Sequence, residues 1–287
     1  MNNCSHYPGF LEYEIGKLSP ENCLFHIISA GYEFSVSYGT GTKNGPEAII
    51  KASQQLELFN GTSIPSEKGI YTHPPLIFDK SVEDNLLLIE RKVSSILAKD
   101  RIPVILGGEH TVSVAAFKAL AKMDDTVGIV QIDAHADLRD SYEGNPFSHA
   151  CVMKRAIDLG FSIAQFGVRS LSHDEHIFRK KHAIFHIDAE ELVEKGIPYH
   201  ILPEHFPSKI YITFDVDGLD PSVISATGTP VPGGISWYQA MTLLQKIAQN
   251  RTIVGFDVVE LSPLKGFHAS DFAAASLVYA MMGLSLT

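Results

Sequence analysis

The chain has 287 residues, 45% of them hydrophobic and 20% charged, a balance that suits a soluble globular protein with ample core. Its formal charge of −10 argues against nucleic acid or an anionic membrane as the main partner and is compatible with a small cationic one. Cys4, Cys23 and Cys151 show no C-x-x-C spacing, as expected of thiols in a reducing cytoplasm rather than of a disulfide framework.

Residues 1–22 are polar and irregular and read as an arm lying on the domain or on a neighbouring subunit, without the basic head and apolar core of a secretory signal. Leu24 to Ala30 is the first predicted strand. The loop that follows, Gly31 to Gly45, has a G-x-G-x-x-x-G spacing one residue off the dinucleotide fingerprint, so a mobile loop is the better reading than a nucleotide cradle. Pro46 suits a first helical position and predicts a helix to Gln55. Residues 60–80 are loop-rich. Ser81 and Asp84 resemble a capping box, and Leu86, Ile89, Val93, Ile96 and Leu97 follow at helical spacing, predicting a helix over 82–99. A strand over 103–106, a helix to Lys122 and a strand over 127–132 come next. Then come a helix over 148–160 and strands over 163–168, 184–187 and 210–214. A glycine- and proline-rich loop, 218–234, leads to a helix opened by Ser236 and Gln239. The last strand spans 252–259, and the apolar run 272–284 is too short to cross a bilayer and reads as a buried helix.

Strands alternating with helices predict an α/β fold, a mostly parallel sheet covered on both faces. No repeat or linker divides the chain, so residues 23–287 are expected to form one domain.

The chemically loaded residues fall at four strand ends: His110, then Asp133, His135 and Asp137, then Asp215 and Asp217, and finally Glu260. Ligands bind at that edge of open parallel sheets. Side chains at i, i+2 and i+4 of an extended strand share a face, so Asp133, His135 and Asp137 should converge, and Asp215 and Asp217 repeat the spacing. Acids that merely cap a turn are the alternative for any one of these groups, but not readily for four. Four carboxylates and two imidazoles suffice for two divalent ions, and oxygen with some nitrogen, without thiolate, suits Mn²⁺. Asp257 should face away from Glu260. The ten histidines outside this set and His149 read as surface or satisfied core residues.

Gly107-Gly108-Glu109-His110-Thr111, Asp133-Ala134-His135-Ala136-Asp137 and Asp215-Val216-Asp217-Gly218-Leu219-Asp220-Pro221 resemble the three metal signatures of the ureohydrolase (arginase/agmatinase) family. Gly45-Pro46, residues 228–234 and the Glu260 segment match as well. The resemblance runs from about residue 24 to the C-terminus and implies an arginase-like three-layer fold. It implies two Mn²⁺ per chain: His110 and Asp137 would complete one site, His135 and Asp217 the other, with Asp133 and Asp215 bridging. It also implies His149 as a proton shuttle, Glu260 as the partner of a substrate guanidinium, and a homo-oligomer, trimer or hexamer.

The chemistry expected from that resemblance is attack of a metal-bridging hydroxide on a guanidino carbon, releasing urea and an amine. Asp137 would take the hydroxide's proton, and His149 would relay a proton to the departing amine. Arginases carry acidic residues after a G-L-R turn, whereas this chain has Gly167-Val168-Arg169-Ser170-Leu171-Ser172. That departure argues against L-arginine, and residues 137–149 and 36–41 look more like bacterial agmatinases. Agmatine's second positive charge could meet Asp140 or Glu143. An ω-guanidino acid could instead pair with Arg139, and all three could equally be solvated loop charges. A metal-binding relative without activity is the remaining alternative.

Overall fold

A computed structural model describes residues 8–123 and 126–287. Residues 1–7 of the expected arm, with Cys4 and His6, lie outside the described residues. The elements in chain order are α1 (Glu12–Ile15), β1 (Phe25–Ala30), α2 (Gly45–Ser53), β2 (Ile70–Thr72), α3 (Val82–Leu97), β3 (Ile102–Gly107), α4 (Val112–Leu120) and β4 (Val127–Ile132). They continue with α5 (Val152–Asp158), β5 (Ser162–Phe166), α6 (His173–Lys181), β6 (Phe185–Ile187), α7 (Ala189–Glu194), β7 (Lys209–Asp215), α8 (Trp237–Ala248), β8 (Thr252–Val259) and α9 (Ala269–Leu284). The eight strands form one sheet in the order β2-β1-β3-β8-β7-β4-β5-β6, and every pairing is parallel. The fold is α/β, as expected.

Alternation along the strands builds two cores. Ile210, Ile212 and Phe214 of β7 join Phe256 and Val258 of β8 under α2, α8 and α9. Tyr211 and Val259 face the other way, with α3, α4 and α5. Burial on both faces is why these strands read as continuous apolar runs rather than alternating ones. Four adjacent central strands, β3, β8, β7 and β4, carry the segments that begin at His110, Glu260, Asp215 and Asp133. The sheet order thus turns four distant stretches of sequence into neighbours at one edge.

Local chemistry sets the element boundaries. Ser81 accepts the Asp84 N–H, but the Asp84 carboxylate bonds the Ser81 hydroxyl instead of the backbone, so only half of the expected box forms. Ser236 and Gln239 make the full reciprocal box. So do Ser172 and Glu175 at the start of α6, a helix that the sequence reading missed along with α7 and β2. The expected helix over 148–160 opens as a 3₁₀ turn, His149–Cys151, before α5. At the N-terminal side, Phe10 and Leu11 are buried in the main core. The Leu11 N–H donates to Ser53 Oγ at 3.0 Å, so residues 8–15 pack on the end of α2. Cys23 and Cys151 are buried free thiols. Among the described residues no helix is long and apolar enough to cross a membrane.

Candidate metal centre and substrate pocket

His110, Asp133, His135, Asp137, Asp215 and Asp217 converge at the C-terminal edge of the sheet. His110 Nδ1 lies 3.2 Å from Asp133 Oδ2, 3.0 Å from Asp137 Oδ2 and 3.6 Å from Asp215 Oδ2. His135 Nδ1 lies 3.1 Å from Asp217 Oδ2 and 3.6 Å from Asp133 Oδ1. Two groups, His110 with Asp133 and Asp137, and Asp133 with His135 and Asp217, each have donor atoms close enough to share an ion. Asp133 belongs to both, and Asp215 approaches the first.

Convergence does not arise from strand alternation as expected. β4 ends at Ile132, so Asp133, His135 and Asp137 lie in a turn beyond its ladder, whereas Asp215 is the last paired residue of β7, opposite Val259, and only Asp217 lies past it. Each turn is built by its leading aspartate. Asp133 Oδ1 accepts the His135 N–H at 2.6 Å, and Asp215 Oδ1 accepts the Asp217 N–H at 2.9 Å, the local side-chain-to-backbone bond that bends a chain after Asp. Asp217 Oδ1 then accepts the Ala134 N–H at 3.0 Å, tying the two turns together. Asp137 and Glu260 have positive φ, 51° and 64°, a conformation non-glycine residues hold only when their surroundings impose it. The Asp137 carbonyl accepts the Met153 and Lys154 N–H groups, and Glu175 Oε1 accepts that of Leu138 at 3.0 Å. The Glu260 N–H donates to the Gly108 carbonyl, and Glu260 Oε1 accepts the His110 N–H at 2.7 Å. Gly108 itself must be glycine: a Cβ there would lie 1.8 Å from the Tyr32 carbonyl oxygen.

A polar row crosses the sheet beneath these turns. Register places Asp257 of β8 beside Thr213 of β7, Thr213 beside Gln131 of β4, and Gln131 beside Gln165 of β5. All four are fully buried. Gln131 Nε2 donates to Asp133 Oδ2 at 2.7 Å, and Gln165 Nε2 donates to Gln131 Oε1 at 2.5 Å and to the Ala136 carbonyl at 2.7 Å. Thr213 stands 2.8 Å from His110 Nε2 and 2.7 Å from Asp257. Through Thr213, Asp257 is linked to a candidate ligand, a connection that the composition of β8 alone does not reveal. The available signal was parity, since Thr213 lies two residues before Asp215 and Gln131 two before Asp133.

The cluster demands positive charge. Burial works against a proton on His110, yet the Asp133 and Asp137 carboxylates hold its pKa well above the ordinary value. His135, also opposed by burial, is pushed up to about 11 by Asp133 and Asp217. Burial and the neighbouring Asp133 charge raise Asp137 to about 7. Burial, then Asp217 and Asp133, drive Asp215 well above the carboxylate range. A divalent cation answers that demand better than protons do, because it serves several carboxylates at once. His110 Nδ1 is buried without a hydrogen-bond partner although three carboxylates surround it, as fits a lone pair aimed at an ion. The donor set, oxygen-rich with two imidazole nitrogens, suits such an ion.

Val36, Ser37, Tyr38, Gly39, Gly228 and Thr229 wall the cavity over the cluster, with His149 and Glu260 also lining it. His149 Nδ1 is 3.3 Å from Ser35 Oγ, and its Nε2 is 3.3 Å from Ser37 Oγ. Burial lowers its pKa. Glu109 fastens this wall, accepting the Phe34 and Ser35 N–H groups at 2.7 and 2.6 Å and the Ser35 hydroxyl at 2.8 Å. The 31–45 loop is therefore bonded into the pocket rather than loose over it. Asp140 and Glu143 do not line the cavity. Asp140 instead pairs with Arg155 at 2.8 Å and Lys154 at 3.5 Å. Arg139 lies over the Tyr142 ring, 5.3 Å from its centroid.

A family model described as the arginase family matches residues 24–283. An N(1)-aminopropylagmatine ureohydrolase of Thermus thermophilus is 34% identical, covering 90% of this chain and 89% of the relative. An agmatinase of Bacillus cereus is also 34% identical, over 87% of each chain. Among solved structures, the agmatine ureohydrolase of Thermoplasma volcanium superposes with a TM-score of 0.86 at 29% identity, covering 95% of this chain and 93% of that one.

Proposed function

Because this chain belongs to the arginase family, we propose that it is a ureohydrolase that cleaves the guanidino group of agmatine, releasing urea and putrescine with two Mn²⁺ bound. The observation that carries the reading is His110 Nδ1 among three carboxylates, with Glu260 in the same cavity. His110, Asp137, His135 and Asp217 would hold the ions, with Asp133 and Asp215 shared between them. When bound, such a pair supplies the Lewis acidity that makes water a nucleophile at neutral pH.

The chain's own groups supply the rest. One oxygen of Glu260 is held by the His110 N–H, which leaves the other to accept from a planar guanidinium and fix its carbon over the cluster. Asp137 would accept the proton that the hydroxide nucleophile still carries once it has added to the guanidino carbon. His149 carries a proton to the departing amine, its ring steadied between Ser35 and Ser37.

A second reading has an observation of its own. The relatives named N(1)-aminopropylagmatine ureohydrolase are as similar as those named agmatinase, and the expected anchors for agmatine's far ammonium, Asp140 and Glu143, do not line the pocket. A longer cationic tail is therefore the chief competitor. Urea release by Mn²⁺-loaded protein from agmatine, N(1)-aminopropylagmatine, arginine, guanidinobutyrate and guanidinopropionate decides between them. Agmatine should give the highest kcat/KM. Preference for the aminopropyl compound would favour the second reading, and preference for arginine or either acid would defeat both. Two bound ions without urea from any guanidine would mark a silent relative.

A further inference from the structure

The buried row beneath the cluster carries a consequence for His110. Asp257 Oδ1 lies 2.7 Å from Thr213 Oγ1, and Asp257 Oδ2 lies 2.9 Å from the Tyr211 hydroxyl. An ionised carboxylate only accepts, so both hydroxyls donate to it. Thr213 has a single hydroxyl hydrogen and spends it on Asp257, leaving lone pairs to offer. Ser113 Oγ, 3.3 Å away, lies against one of them and also bonds Asp257. His110 Nε2, at 2.8 Å, meets the other, and to bond there it must carry the hydrogen. A neutral imidazole with its hydrogen on Nε2 has its lone pair on Nδ1. Nδ1 is the atom that faces Asp133, Asp137 and Asp215.

We infer that Asp257 and Thr213 are positioning residues: together they fix His110 in the Nε2–H tautomer and aim its Nδ1 lone pair at the metal centre. The inference rests on the proposed function, in which His110 is a ligand. Its geometry depends on β7 and β8 being in register, since Thr213 and Asp257 are direct lateral partners. Without the Asp257 charge, Thr213 is free to turn its hydrogen toward Nε2. The imidazole hydrogen then moves to Nδ1, where the carboxylates welcome it and no cation can bind.

The test compares Mn²⁺ binding, by electron paramagnetic resonance titration, in the wild type and in the Asp257→Asn, Thr213→Val and Thr213→Ser variants. Asn and Val should weaken binding at one site about 10–100-fold, the usual effect of losing a partner behind a metal ligand. Ser, which keeps the hydroxyl, should restore binding to near the wild-type value, which a loss of packing alone would not predict. In ¹¹³Cd-loaded wild-type protein, scalar coupling should appear at His110 Nδ1 and not Nε2, a readout independent of how the variants fold. Coupling at Nε2, or wild-type affinity in both Asn and Val variants, would overturn the inference alone. Wild-type protein that takes up neither ion would overturn the proposed function and this inference with it.

Discussion

His149 lines the cavity whereas Asp133 is fully buried within the ligand cluster, and substitution should separate them. His149 is held by the Ser35 and Ser37 hydroxyls rather than by a candidate ligand. His149→Asn should therefore lower kcat about 10²–10⁴-fold, the range for loss of a positioned proton carrier, while metal content by mass spectrometry stays at the wild-type level. Asp133 belongs to both donor groups, so Asp133→Ala should lose metal and activity together. Normal turnover by the Asn variant would remove His149 from the mechanism. At this scale the sequence was highly legible: the three motif segments named every residue that meets at the cluster. Asp257, Thr213, Gln131 and Gln165 were harder to find because each sits inside an apolar run and gains its meaning from the residue beside it on the next strand. Lateral register is a long-range property that one strand's composition does not encode.

Arg169 shows how elements, rather than single ligands, are held in place. Its guanidinium donates to the carbonyls of Asp217 at 2.6 Å, Leu219 at 3.2 Å and Val231 at 2.7 Å, and to those of Gly167 and Gly218. One planar cation thus staples the turn after β7 to the loop that walls the pocket. Lysine keeps the charge but cannot reproduce that fork. Arg169→Lys should cost roughly 1–3 kcal/mol through orphaned carbonyls and should also weaken metal binding, because the Asp217 segment is among those released. Unchanged denaturant midpoint and Mn²⁺ affinity would refute this role. Of the serines after Arg169, a departure from arginases that argues against arginine, Ser172 has other work, capping α6, while Ser170 pairs with His135 through its backbone alone. Long periodic helices such as α3 were readable from spacing alone. The short β2 and α7 were not, since three to six residues give too few turns or alternations to define a period, and α6, His173–Lys181, is so rich in charge that it carries no apolar stripe.

On the scale of the whole molecule, the buried acids make stability a function of pH and cation. In metal-free protein His135 rises from 6.5 to about 11, so the folded state retains a proton that the unfolded chain has released between those values. Its contribution is whole below pH 6.5 and disappears as pH climbs through 11. Asp137, raised from 3.8 to about 7, acts with the same sign at lower pH. Chelator-treated protein should therefore melt at progressively lower temperature as pH rises above about 6.5, while Mn²⁺-loaded protein should change far less over the same interval. A melting temperature that rises with pH after chelation would contradict this account.

The order of the central strands has a kinetic corollary. A sheet whose two faces are both greasy can bury nearly as much oil with one strand slipped by two residues, because side-chain parity survives such a slip. Hydrophobic gain alone discriminates poorly among these near-misses. Only the correct alignment of β3, β8, β7 and β4 brings the three ligand segments together beside Glu260, so a divalent ion recognises the native arrangement and none of its shifted relatives. Added during refolding, Mn²⁺ should raise the yield of native protein above that obtained when the same ion is supplied afterwards. Equal yields would mean that alignment is already decided before the ion can act; unequal yields would make the ion a proofreader of the sheet.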